Sequence, residues 1–177
     1  MIRWFAAVAL CGFVVAAAAA LDGCTGNPPP SGQPSFYIDL AQPGAALDSN
    51  AAASMISGYR GNNGLAPVTI DPELMRLSGE QAQAMAARDK LDHDAAHPFA
   101  ERIRKSGFQA SVAVENIAAG YHTLAEAFSG WRDSPPHRAN MLNPGVSRMG
   151  IAAVYTPKSK FKVYWALILA GPDERHG

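Results

Sequence analysis

The chain has 177 residues and a mass of 18.7 kDa, enough for one domain and some additional segments. Hydrophobic residues make up 48% and charged ones 17%, and the 16 Gly and 13 Pro are too few for a low-complexity polymer, so most of the chain is expected to fold around a core. Its 15 Lys and Arg balance its 15 Asp and Glu, leaving no basic field to hold a polyanion, which argues against nucleic-acid binding.

Met1-Ile2-Arg3 is followed by an uncharged run from Trp4 to Leu21, a short basic region and an apolar stretch of the kind that directs export. Its five closing alanines favour a cleaved signal over an uncleaved anchor. Leu21-Asp22-Gly23-Cys24 resembles the lipobox of bacterial lipoproteins, in which the cysteine becomes the lipidated first residue of the mature chain and ties the protein to a membrane. Ordinary cleavage among the alanines, leaving Cys24 as a free thiol, is the alternative. No cysteine follows Cys24, so no disulfide is expected to hold the domain. Pro28, Pro29, Pro30 and Pro34, set among Ser, Gly, Asn and Gln, make an extended tether. The expected division is a signal over 1–23, Cys24 and a tether over 24–46, a domain over 47–171 and a tail over 172–177.

Helical periodicity begins near Asp48, where Ala52, Met55, Ile56 and Tyr59 share a face, and ends at Asn62-Asn63-Gly64. Asp71-Pro72 is a second helix start, with Leu74, Leu77, Gln81 and Met85 on one face toward Arg88. A short helix is expected from Pro98 to Lys105, stopped by Gly107. A fourth opens at Thr123, where Glu126 completes a capping box, and is expected to stop before Pro135-Pro136. Strands are expected over 110–117, 149–155 and 161–169, the last two forming a hairpin. In the final strand Phe161, Val163, Trp165, Leu167 and Leu169 share one face, and Tyr164, Ala166, Ile168 and Ala170 share the other. Two apolar faces need two covers. The fold expected is therefore α+β, a three-layer α-β-α sandwich with a small, mainly antiparallel central sheet.

Glu115 lies within the strand expected from Ala110 to Ile117. A lone carboxylate buried there costs several kcal/mol unless it is paired, protonated or metal-bound, and Arg60 and Arg138 are the partners considered for a plain salt bridge. His93 lies in a loop after the second helix, and His137 follows the Pro135-Pro136 stop; each alone is a weak signal. His97, His122 and His176 read as bystanders.

Taken together, Tyr59-Arg60-Gly61-Asn62-Asn63-Gly64-Leu65, Leu91-Asp92-His93, Glu115-Asn116-Ile117-Ala118, the segment from Trp131 through Ser134, His137, Arg138 and Asn140 to Leu142, and Met149-Gly150-Ile151-Ala152 resemble the bacterial branch of the CAP superfamily, also called the SCP family. The resemblance spans roughly residues 48–170. It implies the α-β-α sandwich, an extracytoplasmic location in the cell envelope or secreted from it, and a cleft whose histidines hold a divalent cation, commonly zinc, in several members. His93 and His137 match the two histidines and Glu115 the strand glutamate, the candidate general base or orienting group. At the second acidic position of eukaryotic members stands Ser134. Ser134 and Asn116 are expected to line the cleft; Ser134 lacks the Gly-x-Ser-x-Gly setting of a hydrolase nucleophile. Two imidazoles and a carboxylate suit metal-assisted hydrolysis. The alternatives are a module that holds a lipid, a sterol or another envelope ligand, and an interaction domain at the cell surface.

Overall fold

Local capping signals account for most of the helix starts. In the computed structural model, which describes Met1 and residues 32–172, α1 (Ser49–Gly61) begins where the Asp48 carboxylate accepts from the amide of Ala51. In α2 (Pro72–Arg88) the Asp71 carboxylate accepts from the amides of Glu73 and Leu74, with proline at the first turn. α3 (Phe99–Ser106) ends at Gly107, whose φ of 84° suits a residue without a β-carbon. α4 (Leu124–Asp133) carries the complete Thr123–Glu126 capping box.

The prolines expected only to stop α4 do more. Pro135 and Pro136 occupy the first turn of a further helix, α5 (Pro135–Met141), so His137 stands on a helix and not in a turn. Neither proline needs an intrahelical amide partner at that position, which is why the same pair can end one helix and open the next.

Four strands form one sheet in the order β1-β3-β4-β2: β1 (Thr69–Ile70), β2 (Ala110–Ala119), β3 (Arg148–Tyr155) and β4 (Val163–Pro172). β4 pairs antiparallel with both β2 and β3, and the two-residue β1 adds a parallel edge to β3. The alternation expected for the last strand holds from Val163 onward. Val163, Trp165, Leu167 and Leu169 pack with Ile56 of α1, Leu124 and Trp131 of α4 and Met141 of α5. On the opposite face Tyr164 and Ala166 pack with Ala82 and Met85 of α2, while Ile168 and Ala170 meet Leu74, Leu77 and Ile103 of α2 and α3. The chain is the expected three-layer α+β sandwich. Phe161 departs from the pattern: Lys162 takes a φ of 65°, the alternation breaks there, and the Phe161 ring joins Tyr164 on the α2 face.

α2 lies close on the sheet because Gly150 of β3 has no side chain: a β-carbon there would fall 2.0 Å from the backbone carbon of Leu74. The packed part also begins earlier than residue 47. Ser35–Tyr37 form a 3₁₀ turn, and Leu40 is buried in the core beside Trp131, so residues 35–46 belong to the domain and not to the tether. The signal run and Cys24 lie outside the described residues. Among those described, no helix is long and apolar enough to cross a membrane.

Candidate functional site

β2 is an edge strand, and the chain builds its candidate site against that edge. The register pairs Glu115 with Ile168 and Ile117 with Ala166, so the Glu115 side chain projects to the α2–α3 face, whereas Asn116, opposite Leu167, projects to the α4–α5 face. The loop after α2 brings His93 to the edge from one layer, and α5 brings His137 from the other.

Glu115 is buried, its side chain only 2% exposed, and both its oxygens are engaged. Oε1 lies 2.8 Å from His93 Nδ1, and Oε2 accepts from Arg102 Nη2 at 2.7 Å. The partner is therefore Arg102, not Arg60 or Arg138. Arg60 is fully buried on the opposite layer, where it donates to the carbonyls of Ala66, Met141, Asn143 and Val146, and Arg138 is exposed. Arg102 also donates to the carbonyls of His97 (2.9 Å) and His93 (3.1 Å). Gln81 of α2 fastens the same loop, donating to the carbonyls of Asp92 and His93 and accepting from the amide of Ala96.

On the other side, buried Asn116 does not line an open cleft. Its amide donates to the carbonyl of His137 at 3.0 Å, and its oxygen accepts from Asn140 Nδ2 at 2.9 Å. Asn140 also donates to the carbonyl of Glu115, and Trp131 Nε1 donates to that of Ile117. Two outward carbonyls of the edge strand are thus closed by side chains, which keeps this stretch from pairing with another chain.

The two imidazoles titrate in opposite directions. The hydrogen bond to Glu115 outweighs burial and raises the pKa of His93 above its usual 6.5. Burial, aided by a nearby charged His93, lowers that of His137. His137 and Ser134 line a cleft of about 260 Å³ whose other walls include Leu91, Ile117, Ala119, Tyr121 and Trp131. Ser134 stands at the N-cap of α5 without a capping bond from its side chain. His97 enters the network only through its carbonyl, and the His122 ring lies 3.9 Å from Asp39, away from this group. His176 is outside the described residues.

The donor set can be matched against a divalent cation. With Nδ1 of His93 turned to a carboxylate, Nε2 is the nitrogen left for a ligand, the usual carboxylate–histidine–metal arrangement. A depressed pKa keeps the lone pair of His137 available. Among the described residues, no three or more His, Cys, Asp and Glu side chains are gathered closely enough to hold an ion by themselves. His93 and His137 are the imidazoles that could each offer a nitrogen to an ion, whose remaining positions would fall to small molecules.

With this geometry in place, the comparisons with known proteins decide the family. The model of the CAP family, the cysteine-rich secretory protein family, matches residues 53–169. The chain belongs to the CAP family. It is 30% identical over 120 residues to the uncharacterized protein YkwD of Bacillus subtilis, covering 60% of this chain and 46% of that protein, so it spans less than half of that relative. Among solved structures it resembles an extracellular SCP-domain protein of Bacillus anthracis (TM-score 0.60, 18% identity, 69% of this chain and 39% of that one). It also resembles an outer surface protein of Borrelia burgdorferi (TM-score 0.61, 19% identity, 72% of this chain and 98% of that one). These two likenesses concern the fold.

Arg102 carries no motif in the sequence, and Gln81 and Asn140 stand there on a helix face and in a motif without a role in the site. A signal for Arg102 exists: it stands three residues after Phe99 and one before Ile103, on the inward side of α3, and its guanidinium lies 5.2 Å from the Phe99 ring. The periodicity of α2 puts Gln81 on its buried face but carries no sign of the loop it fastens.

Proposed function

We propose that this chain is an exported CAP-domain protein of the cell envelope whose cleft binds a divalent cation, zinc by donor preference, between His93 and His137. The observation that carries this reading is the Nδ1 contact of His93 with Glu115, which leaves Nε2 as the free ligand nitrogen, while burial lowers the pKa of the second imidazole, His137. A bound cation supplies Lewis acidity, and the reaction class that suits the cleft is metal-assisted hydrolysis. Within it Glu115 orients His93. Both its oxygens are taken, so it is poorly placed to accept a proton from a substrate.

Export rests on the apolar run from Trp4 to Leu21 and agrees with the extracellular and outer-surface names of the two structural relatives. Anchoring through lipidated Cys24 is the form of attachment we propose; labelled fatty acid that follows the wild type and not Cys24→Ala is its test.

A zinc titration by calorimetry of the full chain, repeated with His93→Ala and His137→Ala, tests the site. Stoichiometric binding lost in both variants is the expected result, and no binding in the wild type sinks the reading. Glu115→Gln separates the two roles of the carboxylate: an orienting role loses cation affinity, whereas a general base loses turnover with affinity intact.

One observation favours a second reading, a lipid- or sterol-holding module. A groove of about 470 Å³ runs between α3 and the start of β2, walled by Phe99, Ile103, Phe108, Val112 and Ala113 with Arg104 beside them. That reading predicts saturable uptake of a fluorescent fatty acid, indifferent to His93→Ala; nonsaturable uptake removes it.

A further inference from the structure

Two arginines are buried in this domain, and they are used differently. Arg60 donates only to backbone carbonyls: Nε to Ala66, Nη1 to Met141 and Asn143, Nη2 to Val146. Each of its nitrogens is satisfied, and no carboxylate is involved. This is a clamp on loops, a structural task that the guanidinium fork suits.

Arg102 is 3% exposed at its side chain and makes three contacts around the candidate ligand His93, one of them to the carbonyl of His93 itself. Nε holds the carbonyl of His97, the far end of the loop that carries His93; Nη2 is shared between the carbonyl of His93 and Oε2 of Glu115; Nη1 has no hydrogen-bond partner among the described residues. A buried guanidinium left partly unsatisfied is a cost that backbone clamping alone does not require. The contacts that are made converge on one side chain. Arg102 fixes the backbone from which the His93 ring projects, and it also fixes the carboxylate that meets His93 Nδ1.

We propose that Arg102 is the positioning residue of the cleft, setting the ring orientation and tautomer of His93 by holding its loop and its carboxylate at once. Without Arg102, Glu115 has one engaged oxygen and can rotate, and of the two side chains that bind the carbonyls of this loop only Gln81 remains, beside the packing of Ala95. Lysine at this position keeps the charge but offers one ammonium, which cannot reproduce the planar fork that reaches two carbonyls and a carboxylate.

The test compares Arg102→Lys with Arg60→Lys in the full chain, with two readouts beside thermal stability. The first is long-range ¹⁵N–¹H NMR of the His93 ring in alkaline buffer, where the imidazole is neutral. The wild type and Arg60→Lys are expected to show the Nδ1–H tautomer, and Arg102→Lys a mixture. The second is zinc affinity, expected to fall about 10- to 100-fold in Arg102→Lys, as for the loss of an outer-shell partner, and to hold in Arg60→Lys. If Arg102→Lys does not fold, the Arg102→Met, Glu115→Gln double variant, which leaves no buried charge uncompensated, is measured against the Glu115→Gln single variant, and a further loss of the Nδ1–H tautomer and of zinc affinity beyond that of the single variant is expected. A folded Arg102 variant with the wild-type tautomer and wild-type zinc affinity overturns the proposal, however much its stability has dropped. The zinc readout rests on the cation reading above, and the tautomer does not. A wild type that ignores zinc while its His93 tautomer depends on Arg102 therefore removes the cation and keeps the positioning role.

Discussion

The two candidate histidines are held at the β2 edge by unlike means. His93 comes from a loop and is gripped at its ring: Glu115 meets Nδ1, and Arg102 and Gln81 hold the surrounding carbonyls. His137 comes from α5 and is held at its backbone, through Asn116 and Asn140, while its ring is left to its surroundings. One side is organised by charge, the other by neutral amides and an indole. The difference shows that the β2 edge imposes two separate conditions on the site, an ion pair that must stay complete and an amide chain that must stay in register. The imidazoles shift in opposite directions accordingly: the Glu115 hydrogen bond raises His93, and burial lowers His137.

The contrast breaks most visibly at Glu115. Replacing it by alanine strands the Arg102 guanidinium, buried and deprived of its counter-charge, and removal of one partner from a buried pair costs about 3–5 kcal/mol. Urea unfolding monitored by Trp131 and Trp165 fluorescence should show a loss of that size; a loss below about 1 kcal/mol, typical of exposed pairs, would mean that the pair is solvated. The corresponding cut on the amide side is Asn116→Ala. It removes the donor to the His137 carbonyl and the acceptor for Asn140, neutral groups in each case, for an expected cost of about 1–3 kcal/mol. The ranking is the sharper statement: if Asn116→Ala proves the more damaging, the charged side is not the stronger of the two.

The same asymmetry governs what could be read from the chain beforehand. Asp48, Asp71-Pro72 and the Thr123–Glu126 box act within a few residues of themselves, so three helix starts are legible, and the alternation in β4 announces two covered faces. Glu115 stood out because a carboxylate in a strand of valine, alanine and isoleucine needs a partner. The identity of that partner was not legible. Arg60, Arg102 and Arg138 are equivalent as letters, and only the packing of α3 against β2 selects Arg102. The Pro135-Pro136 pair reads equally well as a stop and as a start, which concealed α5. β1 is two residues long and exists through a parallel pairing with β3, about 80 positions away in sequence, a contact that no local signal encodes.

The smallest expected effect is on the pH dependence of stability, and the two sides should contribute limbs of opposite sign. The pKa of His93 is raised by Glu115, so the folded state binds the proton more tightly than the unfolded one. The stability it contributes is fully present below the unfolded value of 6.5 and is lost as pH rises through the folded pKa. His137 has a lowered pKa because its burial disfavours the charged form. The unfolded chain takes up that proton more readily, so stability falls as pH drops below 6.5 toward the folded pKa. Together these give a shallow maximum near 6.5, above the range in which carboxylates protonate. Thermal melts of the full chain across this range should lose the alkaline limb in His93→Asn and the acid limb in His137→Asn. Loss of both limbs in either single variant would show that the imidazoles titrate as one coupled unit, and the division of the cleft into two independently held halves would then fail.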